Sequence, residues 1–317
     1  MTLPGYNHKF GQQIMTDAES VDIDRAFLAH YHIDASDAVI ADADGVLKIN
    51  LGAEAQTVDD GIVSPAVPRN LTVVGNVSGI TGTVKITGTD FAGDAIEESF
   101  TLNGDTADTG DLAFKTITKV ELPVQTHTPA QQTETIQVTA GVSGAPGDIT
   151  VAVTATALGD NSPASVAVTL TADDNTAAEV AAKIVDALND DDTISAAFTV
   201  SVTGAGNDTV TLTANALAAN DTTWEIAVTA GDTGVTVGSS TNGTPGVPYD
   251  IVSIGWGDKF GLPYKLYADE LVILKLFNKA KEITEGTITA DADDLAKNVY
   301  DPHDTTLGVD IDLYIIV

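Results

Sequence analysis

Asp42-Ala-Asp-Gly45 carries two carboxylates two residues apart ahead of a glycine, a pattern that can wrap oxygen ligands around calcium. No Glu stands at the spacing an EF-hand loop requires, so the match is partial, and in a chain this rich in Asp the tetrapeptide is more often a plain turn. Asp42 and Asp44 are the metal candidates. His30 and His32 also lie two apart, and on a strand both rings would share one face as a metal pair does. Nothing near them in sequence fixes a third ligand. His8, His127 and His303 are isolated and read as surface or hydrogen-bonded residues, while Asn189-Asp-Asp-Asp192 and Asp291-Ala-Asp-Asp294 read as solvated turns.

The chain has no cysteine, which removes the thiolate as nucleophile and as metal ligand, and with it any disulfide. A Gly-x-Ser-x-Gly elbow, a phosphate-binding loop, a dinucleotide fingerprint and a zinc-protease helix are all missing from the sequence. No nucleophile, base or metal set assembles, so neither catalytic residues nor a cofactor is expected, and the chain reads as a non-enzyme. Trp256 is flanked by glycines in Ser253-Ile-Gly-Trp-Gly-Asp-Lys259, which lets another backbone approach the indole. It is either core packing or the anchor of a subunit contact. With Arg25 and Arg69, the only arginines, it makes up the candidate partner-contact set.

The charge narrows the partners. The 317 residues include 46 acidic against 14 basic ones, a formal charge of −32, with no basic run. A phosphate backbone needs clustered Lys or Arg, so direct nucleic-acid binding is not expected, and an anionic membrane surface is disfavoured on the same argument. The acidity keeps the surface hydrated and fits either ordinary solubility or a salty medium. The N-terminus lacks the apolar stretch of a signal peptide and no segment approaches the roughly 18 apolar residues of a membrane span, so a cytosolic origin followed by assembly is expected.

These residues must be positioned by strands. Thr, Val, Ala, Gly and Asp dominate and aromatics are only 5%, the composition of short β-branched strands joined by turns, so a mainly β fold is expected. Residues 1–59 are the least patterned and read as an extended arm, though Gly45–Leu51 looks like a first strand. From Pro68 alternation is clear over 69–75, 82–88, 95–102 and 113–122, which predicts an antiparallel β-sandwich or barrel. That texture stops near Pro123 and resumes at Tyr249, through the apolar run 271–277 to an alternating C-terminal strand over 309–317. The host is therefore read as discontinuous, 60–129 plus 246–317. It is interrupted by an inserted α+β sandwich lobe over 130–245 with six strands, one helix over 175–189, and a hinge at Asn242–Gly246. The helix stripe Ala177, Val180, Ala181, Ile184, Val185 and Leu188 should cover a sheet.

The host segments Pro68–Gly75, Gly82–Asp90, Phe114–Pro123 and Ile254-Gly-Trp-Gly-Asp-Lys-Phe-Gly-Leu-Pro263 resemble tailed-bacteriophage virion proteins of the head-decoration type. The resemblance covers roughly residues 60–125 and 249–317, and the insert is similar to the Ig-like or α+β lobes that phage head and tail proteins carry. It implies a capsid decoration, or cement, protein on the virion exterior that clamps the major capsid protein lattice as a homotrimer. The alternatives are a tail-tube or tube-surface component, whose charge would gather on one concave face, and an adhesin or carbohydrate-binding module. The last would need an aromatic platform, and the insert has Trp224 alone among tryptophans and no tyrosine.

Overall fold

The computed structural model describes residues 13–15, 23–25, 28–38, 41–263, 273–278, 281–282, 287–289, 291, 293–302 and 311–316. The chain is mainly β with antiparallel sheets. It divides into a host unit, Met1–Thr126 with Asp250–Val317, and an inserted unit, His127–Tyr249.

Alternating apolar residues build the host. In Thr81–Thr89 the buried positions are Val84, Ile86 and Gly88, and in Ala95–Asn103 they are Phe100 and Leu102. These strands join Thr116–Leu122 and Gln56–Val58 in one four-stranded sheet. The second sheet centres on the eleven-residue strand Ile251–Gly261, which pairs with Asp42–Asn50, with Arg69–Gly75 and, at its far end, with Val299–Asp301. Leu71, Val73, Val252 and Ile254 from the second sheet and Val84, Ile86, Phe100 and Val120 from the first form one buried cluster, the interior of a β-sandwich.

A further host sheet orders Lys281–Glu282, Ile273–Asn278, Ile311–Ile316 and Leu28–Ile33. Its cluster includes Ile33, Ala38, Phe260, Tyr300, Ile311 and Leu313. The extended arm expected over 1–59 is corrected for its described residues, where the strand read at Gly45–Leu51 is borne out; residues 1–12 and 16–22 lie outside the described part. Leu28–Ile33 pairs residue for residue with 311–316, Asp42–Asn50 lies in the sandwich sheet, and Val46 and Leu51 are buried in its core. The sequence of this stretch looks irregular because its strands find partners far along the chain, a pairing that local pattern does not reveal.

The inserted unit closes one core between a five-stranded sheet (198–203, 209–214, 133–140, 236–237, with 241–244 alongside 133–135) and a three-stranded sheet (164–170, 147–154, 225–229). The helix Ala177–Asp190 buries Val180, Ala181, Ile184 and Leu188 into that core. Its start is set by a capping box, in which the Thr176 hydroxyl accepts from the Glu179 N–H and the Glu179 carboxylate accepts from the Thr176 N–H at 3.0 Å. Two turn expectations change. Asp191 caps a second short helix, Asp192–Ala197, accepting from Thr193 and Ile194 N–H at 3.0 Å each, and Asn242–Gly246 is mostly strand rather than hinge.

Both ends of the insertion are closed by hydrogen bonds. On the inserted unit Ala130 and Val247 exchange N–H to carbonyl bonds of 2.9 and 2.8 Å. On the host Asp250, fully buried, accepts the Thr126 N–H on its carboxylate at 2.6 Å and the Leu51 N–H on its carbonyl at 2.7 Å. The incoming and outgoing segments are thus bonded to each other in each unit, which is what lets a whole domain interrupt a sheet protein without opening its core.

Candidate functional site

Asp42-Ala-Asp-Gly45 is strand, not a loop that could wrap a cation. Asp42 accepts the Asp44 N–H at 3.2 Å, and the Lys48 ammonium lies 3.2 Å from the Asp44 carboxylate. The hydrogen bond from Lys48 holds Asp44 below the usual carboxylate range. His30 and His32 do share one exposed face of the 28–33 strand, with ring centroids 6.4 Å apart, and His32 Nε2 lies 3.2 Å from Asp34. Among the described residues no three His, Asp or Glu side chains gather into a metal-binding set.

Asp291-Ala-Asp-Asp294 is a capping loop rather than a free turn. Asp291 accepts from the Asp293 and Asp294 N–H groups, Asp294 from that of Ala296, and the buried Asn298 amide donates to the Asp291 and Asp294 carbonyls.

Trp256 is half-buried and packs against the sandwich core, its ring lying over Gly45, where a Cβ would meet the indole at 2.6 Å. Its neighbour Gly255 faces the Asp42 carbonyl so closely that no side chain fits. Arg69 is a correction of another kind: it is 1% exposed, inside the host rather than presented at its surface. Its guanidinium stands 4.6 Å above the Phe260 ring, a cation–π contact, and burial lowers its pKa to about 10 against the opposing pull of Asp258. The adjacent Asn70 is buried too. It donates to the Gly110 carbonyl and accepts the Lys259 N–H, which holds the long strand across its shift of register between Trp256 and Phe260. Arg25 lies on the 23–25 strand, and its side chain is outside the described part.

Unpaired polar atoms mark two carboxylates, half-buried Glu98 and buried Glu134. In the host, Glu98 accepts the Asp111 and Leu112 N–H groups on Oε1 and leaves Oε2 buried without a partner. Burial outweighs those two bonds and raises its pKa. In the inserted unit Glu134 is 2% exposed on a strand whose other inward residues are Ile136 and Val138. Ser240 donates to its Oε1 at 2.6 Å while itself accepting the Ile226 N–H at 2.9 Å, so the hydroxyl links the two sheets. Glu134 Oε2 has no partner, and desolvation raises the pKa of the group, with Glu225 adding to the rise.

Two clefts flank this region. One, of about 550 Å³, is lined by Ala155, Ala214, Ala218, Phe198 and Trp224, whose rings stack at 4.6 Å, with Gln132 and Asp221 at its polar side. The other, of about 570 Å³, is lined by Glu134, Trp224, Glu225, Val228 and Ser240. Sequence reasoning passed over Glu134. The signal was available: in Glu134-Thr-Ile-Gln-Val138 a two-residue period places the acid on the same face as Ile136 and Val138.

No protein-family model matches the chain, and no curated protein matches it significantly.

Proposed function

We propose that the chain is a non-enzymatic structural protein of a tailed-bacteriophage virion, a decoration protein that binds the outside of the major-capsid lattice as a homotrimer and stabilises the head. The observation that carries this reading is the architecture itself. A sandwich host is interrupted by a complete second unit at paired, hydrogen-bonded crossing points, so the host is free to attach while the lobe enlarges the exterior. The resemblance of the host segments to head-decoration proteins supplies the virion setting. The excess of acid over base suits an outer surface and disfavours contact with packaged nucleic acid. Among the described residues the host also has outer strands, such as Ala95–Asn103, that pair with one strand only, and strand addition is a common way for one protein to clamp another.

Cryo-electron microscopy of particles that carry this chain, with its structure fitted into the map, tests the proposal. Density on the outer shell around symmetry axes is the expected result. Density in the tail, or none on the particle, overturns it in favour of a tube component or an adhesin.

A further inference from the structure

The inserted unit holds a half-satisfied carboxylate in a cleft. Glu134 is buried, its Oε1 is held by Ser240, and its Oε2 has no partner. Exposed Glu225 lines the same cleft and is near enough to oppose ionisation of Glu134. Two like charges facing one cleft, one of them removed from water, call for a cation. The inserted unit has almost none to give. Between residues 127 and 249 Lys183 is the single basic residue against 14 acidic ones, and its charge acts on Asp174 at the start of the helix.

The cleft also has the form of a place for a chain segment. One wall is the edge strand Glu225–Thr229, which pairs with 147–154 on one side, while its Ile226 N–H points the other way, to Ser240. The opposite wall is the stretch 237–240. Trp224 lines the cleft with an indole N–H that is buried and unpartnered, a donor suited to a carbonyl.

We propose that this cleft docks a lysine- or arginine-bearing segment of a partner protein, its cationic head group pairing with Glu134 Oε2 and Glu225 and a carbonyl of the segment taking the Trp224 indole N–H. Such a pairing completes a buried carboxylate that the unit itself leaves half-bonded, and charge-assisted bonds of this kind are among the stronger ones available to an interface. The site stands apart from the virion reading and is tested on the isolated full-length protein.

The probe is the peptide N-acetyl-Ala-Lys-Ala-amide, titrated into labelled protein while the two tryptophan indole N–H resonances are followed by NMR. Trp256→Phe assigns them. The lysine peptide is expected to shift the Trp224 signal saturably, its norleucine counterpart to leave it unmoved, and Glu134→Gln to weaken binding about tenfold with the fold intact. Glu225→Gln, at an exposed position, gives a smaller loss and guards against a folding artefact. No shift, an equal shift with the norleucine peptide, undiminished binding to Glu134→Gln, or the same shift from calcium chloride alone would overturn the proposal.

Discussion

Each unit buries a large charged side chain, Arg69 in the host and Glu134 in the insert, and the two are accommodated differently. The host encloses Arg69, spreads its cation over the Phe260 ring and keeps Asp258 near enough to favour the charged form. The inserted unit encloses Glu134 and offers it one hydroxyl. The basic residues follow the same division, for 13 of the 14 lie in the host and Lys183 alone in the insert. A buried ion with several favourable neighbours acts as a structural part of its domain, whereas one left half-bonded beside a cleft retains unused binding capacity. The comparison teaches that host and insert are built from the same kind of sheet yet hold a buried charge differently, Arg69 by an aromatic ring and a nearby carboxylate and Glu134 by one hydroxyl.

The largest test of that division removes core from one unit. Phe100→Ala is expected to destabilise the host by about 3–5 kcal/mol. Calorimetry should show one transition falling while that of the insert stays in place, and a joint shift of both would break the separation into units. Arg69→Ala should follow at about 2–4 kcal/mol from lost packing over Phe260. Arg69→Met, which keeps the apolar stem, should recover most of that in the same scan, and an equally damaging Met variant would mean that the charge, not the packing, matters. Thr176→Ala opens the capping box and should lower only the insert transition, by about 1 kcal/mol.

The smallest effect, a slope with pH, sharpens the comparison most. The folded-state pKa of Glu134 lies above its ordinary 4.5, so the folded unit holds a proton that the unfolded chain releases. Stability of the insert should therefore fall as pH rises from about 4.5 through the raised value, and Glu134→Gln should flatten that part of the profile. Asp174 and Asp221 work in the opposite sense and in a lower window. The Thr171 N–H holds Asp174 below its ordinary 3.8, and at Asp221 burial is outweighed by hydrogen bonds from Thr223 and Thr156. Their contribution is present above about pH 4 and is lost as pH falls further. Thermal unfolding of wild type and variant across pH 3–7 separates the two windows.

Much of the fold was legible. The alternation in Arg69–Gly75 and Thr81–Thr89 marks strands because one face of each meets a core, and the helix at 177–190 announces itself through Thr176, Glu179 and the stripe Val180, Ala181, Ile184, Leu188. Less legible were the strand 28–33 and the partners of 28–33 and 42–50, which lie more than 200 residues away at 311–316 and 251–256, although 45–51 itself reads as a strand. Asp42 with Asp44 and His30 with His32 stand out as spacings, yet spacing alone gathers no third ligand, while the two-residue period places Glu134 on an inward face without saying that Trp224 lies near it, since the two meet only when two sheets close on each other.

What the sequence by itself determined is whatever depends on near neighbours and totals: a mainly β chain, a second domain set into the first, a capped helix, an acidic balance and the lack of any cysteine chemistry. Periodicity and composition encode these because burial of one face and turn preference act over a few residues. Only the tertiary structure decided that Arg69 is interior, that Trp256 lies over Gly45, and that Glu134, Glu225 and Trp224 line one cleft. Those outcomes depend on which distant strands pair and in which register, and a shift of one residue in any of them would turn each side chain to the opposite face.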